Sequence, residues 1–160
     1  MASFFGAQYV GSLNANQEQV FKTLPVANSV TVTAGDFVYL TSGRVTSASI
    51  DGKRLVGVAQ STVTGNSGGT NTVLVDVTPN ALYAVDNDNV GTTYAASLVG
   101  THFDVTGATG AQLVDTSTTA NAATGGQLLA VEYAPKSPYT TGDTDFSVGV
   151  FAISESEFRI

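Results

Sequence analysis

The sequence predicts an all-β protein, built as a small antiparallel barrel or a sandwich with at most one or two short helices. About ten short apolar or alternating segments are separated by turn residues at intervals of about 8–12 residues. Glycine accounts for 17 of 160 residues, and Thr plus Ser for about a fifth, which is typical of strands joined by turns. Because 42% of the residues are hydrophobic, the chain has enough apolar side chains for a packed core.

The first 26 residues are the least regular part of the chain. Their apolar residues lie among Gly, Asn and Gln at a spacing that fits neither a helix nor a strand, although residues 14–21 allow a short helical turn. We interpret residues 1–26 as an arm that packs along its own β domain or along a neighbouring chain, and residues 27–160 as the β domain. A simple first strand with a polar loop is the alternative. The residues expected at an interface are Phe4, Phe5, Tyr9, Leu13 and Phe21.

The first half of the β domain shows the clearest strand pattern. Residues 29–33 alternate Val with Ser and Thr, the period of a half-buried strand. Residues 34–36 form a turn, and Asp51 with Gly52 is a typical two-residue hairpin turn. Residues 55–59 are apolar throughout, which indicates a strand covered on both faces. The strands predicted along the chain are 29–33, 37–40, one starting at Val45, 55–59, 73–77, 81–85, 102–106, 112–115, 128–133 and 146–153.

The second half contains the one helix candidate. Residues 94–99 suit about two helical turns, which Gly100 would end as the residue after the cap. Residues 116–126 consist mainly of Thr, Ala, Asn and Gly and are predicted to form a mobile loop.

Alternation within the strands predicts which side chains form the core. The residues expected to face inward are Val30, Val32, Val73, Val75 and Val148. The Asp and Glu residues of the β domain are expected to face solvent and keep the protein soluble, since the net charge is −7.

The composition excludes several classes of site. The chain has no Cys, which rules out thiol catalysis, disulfides and Cys-ligated metals, and its one His cannot form a site that needs two imidazoles. Six scattered basic residues and a net charge of −7 argue against a nucleic-acid partner. No apolar run approaches the roughly 20 residues of a membrane-spanning helix, and no signal peptide is evident. We therefore expect a soluble protein that is not exported by the ordinary route and has no membrane partner.

The candidates for catalysis are few. His102 is the only imidazole base, and no Gly-x-Ser-x-Gly motif accompanies it, so we interpret it as an edge-strand residue with a partly exposed ring. The carboxylate pairs Asp143 with Asp145 and Glu155 with Glu157 lie in polar or terminal sequence. A glycosidase would hold such a pair in a cleft with aromatic residues, and solvated surface is the better interpretation.

Two motifs resemble ligand-binding loops. Residues 86–91 begin like a calcium loop, but Ser97 stands where a bidentate Glu is needed, so a turn of Asp and Asn residues is favoured. Residues 65–69 are rich in Gly but have no neighbouring Lys and no helix after them, which argues against a phosphate site. We therefore predict no catalytic residue, no metal site and no cofactor.

The first strands also carry a family resemblance. Residues 30–40 read Val-Thr-Val-Thr-Ala-Gly-Asp-Phe-Val-Tyr-Leu, residues 43–48 read Gly-Arg-Val-Thr-Ser-Ala, and residues 55–60 read Leu-Val-Gly-Val-Ala-Gln. This order resembles the capsid decoration, or cement, proteins of tailed bacteriophages, and the match covers residues 28–60. Residues 70–78, 81–85 and 126–131 also look like phage virion proteins.

The resemblance implies a small β-barrel or β-tulip and a non-enzymatic role in the virion. Such a protein would be made in the host cytoplasm, form a homo-oligomer (a dimer or trimer), and lie on the outside of the capsid. Its partner would be the major capsid protein, whose neighbouring copies it would bridge and so stabilise the icosahedral head. The alternatives are another virion surface part, such as a head fibre base or a tail protein, a glycan-binding β module, or an enzyme.

Overall fold

A computed structural model describes residues 6–48, 53–88, 94–120, 126–133, 148–154 and 156–158. The all-β prediction is confirmed: these ranges contain thirteen strands and one short 3-10 helix, Ala96–Leu98. No helix within them is long and apolar enough to span a membrane. The strands are β1 Gln8–Ser12, β2 Phe21–Pro25, β3 Thr31–Val32, β4 Phe37–Thr41, β5 Arg44–Ser47, β6 Leu55–Ala59, β7 Val63–Thr64, β8 Thr72–Asp76, β9 Ala81–Asp86, β10 His102–Thr106, β11 Leu113–Ala120, β12 Leu128–Glu132 and β13 Val148–Ile153.

The strands form two main sheets and one small one. The first has six strands in the order β1-β9-β13-β12-β10-β11, the second has five in the order β2-β8-β6-β4-β5, and β3 pairs with β7. Every strand pair within these sheets is antiparallel. The arrangement is sandwich-like, and the described strands do not form a closed barrel.

Both main sheets curl strongly. Val26, just after β2, makes a parallel bridge with Val45 of β5, although β2 and β5 lie at opposite ends of the five-stranded sheet. In the six-stranded sheet Asn87, just after the second strand β9, makes a parallel bridge with Val114 of the end strand β11. Each contact joins single residues and builds no ladder, so the sheets approach closure without reaching it.

The core consists of two clusters. An aromatic cluster lies between the two main sheets and includes Phe37 of the five-stranded sheet together with Tyr83, Phe103 and Phe151 of the six-stranded sheet. Their rings pack mainly edge to face, as the charge distribution of aromatic rings favours. The second cluster is rich in valine; its buried members are Val26, Val32, Val38, Val45, Val56, Ala59, Val73 and Val75.

The predicted core residues agree well with this arrangement. Val32, Val73, Val75 and Val148 are buried, whereas Val30 is half-buried and packs against the valine cluster. All five residues of β6 are buried, which confirms that this strand is covered on both faces.

The N-terminal segment forms two strands, although its apolar spacing fitted neither a helix nor a strand and a first strand was only the alternative interpretation. β1 pairs with β9 at the edge of the six-stranded sheet, and β2 pairs with β8 at the end of the five-stranded sheet. Described residues of the expected arm therefore pack along the chain's own sheets. A register shift between Tyr9 and Gly11 interrupts the alternation of β1 and explains why its sequence hides the strand. Phe4 and Phe5 lie outside the described residues.

Three other local predictions need correction. The expected strand at residues 29–33 is shortened to β3, because Ser29 adopts a φ of 60° that a strand cannot contain. The helix expected at residues 94–99 is only a single 3-10 turn, Ala96–Leu98. Residues 116–120, expected in a loop, continue β11. The predicted turn at Asp51 and Gly52 lies outside the described residues.

Candidate functional site

Of the catalytic candidates weighed from the sequence, the structure describes His102 and Glu157. His102 is half-buried on β10, which lies between β12 and β11, so the expectation of an edge strand was wrong. Glu157 is exposed, and its partner in the predicted carboxylate pair, Glu155, lies outside the described residues, as do Asp143 and Asp145. Within the described ranges, no three His, Asp or Glu residues group as a metal site would require.

The first three residues of the calcium-like motif are associated with the six-stranded sheet, and residues 89–91 lie outside the described residues. Asp86 ends β9 and is buried, and Asn87 is buried beside β11. The Asp88 Oδ1 atom accepts hydrogen bonds from the Thr116 backbone N–H at 3.0 Å and from its hydroxyl at 2.9 Å. These bonds tie the end of β9 to β11, so this carboxylate stabilises the curl of the sheet.

The acidic residues do not all face solvent, contrary to expectation. Asp36, Asp76, Asp86 and Asp115 are buried, with at most 6% of their surface exposed. A buried carboxylate needs several hydrogen-bond donors, since it loses its hydration on folding. Sequence reasoning missed these residues because Asp next to a turn is usually solvated.

Asp36 shows how the donors are supplied. Its Oδ2 atom accepts hydrogen bonds from the Thr33 N–H at 2.9 Å, from the Ser47 hydroxyl at 3.3 Å and from the Thr109 hydroxyl. Its Oδ1 atom accepts a bond from the Gly110 N–H at 2.8 Å. Thr109 and Gly110 belong to the connection between β10 and β11, so this carboxylate joins the two main sheets.

Two buried glutamines add further links between the sheets. The Gln112 side chain accepts a hydrogen bond from the Phe37 N–H at 2.6 Å and donates to the Ala48 carbonyl at 3.0 Å. The Gln127 side chain accepts from the Val105 N–H at 2.9 Å and donates to the Lys53 carbonyl at 2.8 Å. These amides satisfy backbone groups that the strand ladders leave unpaired, so their role is structural.

Exposed apolar side chains concentrate at one edge of the molecule, which we call the apolar edge. Six large apolar residues are exposed in the described ranges, and four of them define this edge; Val10 and Val99 are the other two. The apolar edge consists of Leu13, Val20, Phe21 and Leu74. Two of the interface residues predicted from the sequence, Leu13 and Phe21, are exposed by 55% and 43%. A third, Tyr9, is half-buried and packs against Tyr83, with 6.2 Å between ring centroids.

Backbone contacts bring the members of the apolar edge together. The Leu13 N–H donates to the Asn80 carbonyl at 2.9 Å, and the Val77 N–H donates to the Val20 carbonyl at 2.8 Å. Residues 13 and 20 therefore border the connection from β8 to β9. Phe21 pairs with Asp76 and Thr23 pairs with Leu74, so Phe21 and Leu74 are diagonal neighbours on one face of the sheet.

A cleft of about 270 Å³ lies beside the apolar edge, at the connection from β8 to β9. Its polar lining includes Asp76, Thr78 and Tyr83, and its apolar lining includes Val77 and Phe158. The other residues that line it are Val56, Gly57, Pro79, Asn80, Ala81, Ile153, Ser154 and Ser156. None of the residues of the cleft was a predicted site residue.

Asp76 and Tyr83 give the cleft its chemical character. The Asp76 Oδ1 atom accepts hydrogen bonds from the N–H and hydroxyl of Thr78, and its Oδ2 atom accepts one from the Gln19 side chain at 3.0 Å. The Tyr83 hydroxyl is buried beside this carboxylate and interacts with it, although the hydrogen bond between them is not of regular geometry. Burial, reinforced by the negative charge of Asp76, raises the pKa of Tyr83 far above its usual value, so the hydroxyl keeps its proton.

Comparisons with known proteins add no family. No protein-family model matches the chain, and no curated protein matches it significantly. The basis for a functional interpretation is therefore the chain's own surface, where the apolar edge and the cleft lie side by side.

Proposed function

We propose that the protein is a non-enzymatic virion protein that binds the outside of an icosahedral phage head and stabilises it by bridging major capsid proteins. The observation that carries this proposal is the apolar edge, which gathers four of the six exposed large apolar side chains of the described chain. Apolar surface collected at one place marks an interface far more often than scattered apolar residues do. The resemblance of residues 28–60 to phage decoration proteins supplies the kind of partner.

The construction of the apolar edge supports a binding role. Phe21 and Leu74 lie on paired strands, β2 and β8, and the hydrogen bonds between these strands fix their relative positions. Leu13 and Val20 are fixed by backbone hydrogen bonds to the neighbouring connection. A surface ordered before binding loses little conformational entropy when a partner covers it.

The free energy of binding expected from one apolar edge is modest, but an oligomer that presents several such edges binds much more tightly. Burying three or four such side chains contributes a few kcal/mol, at about 25 cal/mol per Å² of apolar surface. An oligomer that engages several capsid subunits at once makes the later contacts intramolecular, so its overall affinity greatly exceeds that of one contact.

Charge and aromatic placement bear on the alternatives. The net charge of −7 suits a protein on the outside of a shell, away from packaged DNA. A glycan-binding module normally presents exposed rings for sugars to stack on. Among the described aromatic residues only the Phe21 ring is exposed, whereas the rings of Phe37, Tyr83, Tyr94, Phe103 and Phe151 are buried, which disfavours that alternative.

Binding to empty shells tests the proposal. The shells are assembled from the major capsid protein of the same genome, mixed with the purified protein and sedimented. We expect binding at a fixed stoichiometry, and we expect the double variant Phe21→Ser/Leu74→Ser to bind at least about tenfold more weakly. Val99→Ser is the matched control, because Val99 is 43% exposed but lies outside the apolar edge. If the wild-type protein does not bind shells, or if the double variant binds as tightly as the control, the proposal is wrong.

A further inference from the structure

We propose that the protein forms a symmetric dimer in which β2 pairs antiparallel with β2 of a second copy. The inference goes beyond the proposed function, because it concerns the side of β2 that faces away from β8, which we call the free side of β2. The exposed side chains of Phe21 and Leu74 project from the face of the sheet, so pairing along the free side leaves them available to another partner.

The free side of β2 carries backbone groups without partners. β2 ends the five-stranded sheet and pairs with β8 over five residues without a register shift. The Val77 N–H donates to the Val20 C=O at 2.8 Å, so Val20 and every second residue after it bond toward β8. The N–H and C=O groups of Phe21 and Thr23 therefore point to the free side, where no residue of the described chain bonds to them. Unpaired groups of this kind are the template on which another strand can pair.

The free side is open over a short stretch that suits a second copy. After β2, the Ala27 N–H donates to the Val45 C=O at 2.9 Å, so β5 occupies this side of the chain there. Residues 18–23, in contrast, are all exposed. Alternation turns positions 19, 21 and 23 to the free side, so the open stretch is centred on Phe21. A two-fold axis at Phe21 pairs the whole of this stretch with itself, and two-fold symmetry is the commonest arrangement of identical chains.

The side chains favour the same register. With Phe21 opposite its own copy, the two rings form an aromatic pair across the strands, and Lys22 lies opposite Val20 of the second copy. A register centred on Lys22 would place two lysines directly opposite each other, which is destabilising. Lys22 itself lies on the other face of β2 from Phe21, where its ammonium is 5.5 Å from the centre of the Phe158 ring.

The other outer strands are less suited to pairing. A register shift interrupts the ladder of β1 with β9, and another interrupts that of β11 with β10. β5, the other end of the five-stranded sheet, is bridged at Val45 by Val26. Bulges and covered edges are ways in which proteins prevent strands from pairing with other chains, and β2 has neither over residues 21–23.

The dimer would present the apolar surface twice. Its continuous sheet has ten strands, five from each copy, with Phe21 and Leu74 of both copies on one face. The contact is at the small end of specific interfaces, so we expect a Kd of about 10–100 µM. The net charge of −7 on each copy opposes association, and salt screens this repulsion. The affinity should therefore increase with ionic strength.

Sedimentation equilibrium of the purified full chain tests the dimer. The measurements extend from about 5 µM to about 1 mM protein in about 0.3 M NaCl, where the repulsion is screened. We expect the mass to rise with concentration from that of one chain to that of two. If the protein stays a single chain at about 1 mM, the inference is overturned.

A proline variant tests whether the free side makes the contact. Thr23→Pro removes an N–H that points to the free side, and proline is tolerated in an edge strand where its position donates no ladder bond. We expect the dimer of this variant to be at least about tenfold weaker. Thr23→Val is the control, because it keeps the N–H and should dimerise as the wild type does. If Thr23→Pro dimerises as tightly as Thr23→Val, the inference is overturned.

A charge variant tests the register and does not depend on the proline variant folding. Phe21 is 43% exposed, so Phe21→Lys should fold, and in the proposed register it places two lysines directly opposite each other. We expect its dimer to be at least about tenfold weaker. Val99→Lys is the matched control, because it adds the same charge at an equally exposed residue away from β2. If the two variants weaken the dimer equally, pairing centred on Phe21 is overturned.

The shell assay separates this inference from the proposed function. If the protein dimerises as expected but does not bind shells, the inference stands and the capsid role is wrong. If a protein that stays a single chain at about 1 mM binds shells, the inference is overturned and the capsid role stands. Where both hold, we expect Thr23→Pro to bind shells more weakly than Thr23→Val, because it loses the contact of the second copy.

Discussion

Replacing Asp36 by Asn measures how much the buried carboxylate between the two sheets contributes to stability. The two side chains have nearly the same shape, so the change opens no cavity. Asp36 accepts bonds on both oxygens, including those from the Thr33 N–H at 2.9 Å and the Gly110 N–H at 2.8 Å. Asn has a single oxygen, so its NH₂ group must face one of these two N–H donors.

The expected cost follows from this mismatch. One buried N–H left without an acceptor costs about 1–3 kcal/mol, and the remaining bonds lose the contribution of the negative charge. Removing a charge from the interior recovers part of its desolvation cost. We expect the free energy of unfolding to fall by about 2–4 kcal/mol.

Urea denaturation followed by circular dichroism provides the measurement. With a slope of about 2 kcal/mol per molar urea, the midpoint should fall by about 1–2 M. Glu157→Gln is the control, because it removes the same charge from an exposed side chain and should change stability by no more than about 0.5 kcal/mol. If Asp36→Asn is as stable as the control, the bonds to Asp36 merely offset the cost of burying it, and the reasoning is wrong.

Three further predictions concern the core, a close approach of strands and alkaline pH. Val75→Ala should lower the free energy of unfolding by about 1–3 kcal/mol, since Val75 is fully buried; a negligible loss in urea titration would contradict its place in the valine cluster. Gly57→Ala should cost more than about 3 kcal/mol, because its Cβ would lie 1.8 Å from a backbone oxygen of β8, whereas Gly68→Ala should cost little, and equal melting temperatures would refute this. Burial raises the pKa values of Tyr83 and Tyr94 above the usual 10.0, so above pH 10 only the unfolded chain releases these protons. Stability is therefore fully present below pH 10 and should fall as the pH rises further, by up to about 1.4 kcal/mol per pH unit for each tyrosine; urea midpoints that stay constant from pH 9 to 11 would contradict this.

The part of the fold that could be predicted depends on short-range patterns. The apolar run of β6 and the alternation around Val73 and Val75 each identify a strand and its buried face. β1 escaped prediction because the irregularity between Tyr9 and Gly11 breaks its period, and only pairing with β9 makes it a strand. Local pattern cannot reveal a strand whose stability comes from a distant partner.

The surface was predictable to a similar degree. Leu13 and Phe21 were identified because apolar residues in an irregular segment have no evident partner, and both prove to be exposed. The cleft was not predictable, because the sequence pattern places Asp76 at the end of a strand and Tyr83 in the core. Their proximity results from packing between the two sheets, which no spacing in the sequence encodes.

The two connections between the main sheets lie side by side, and this determines how the molecule opens. Residues 13–20 lead from β1 to β2, and residues 77–80 lead back from β8 to β9, with hydrogen bonds between them. Neither connection can detach without breaking its bonds to the other, so we expect them to open as one cooperative unit in hydrogen exchange. Because the apolar edge and the cleft both include residues of this unit, a bound partner should slow exchange in both sheets together, including at amides that it does not touch.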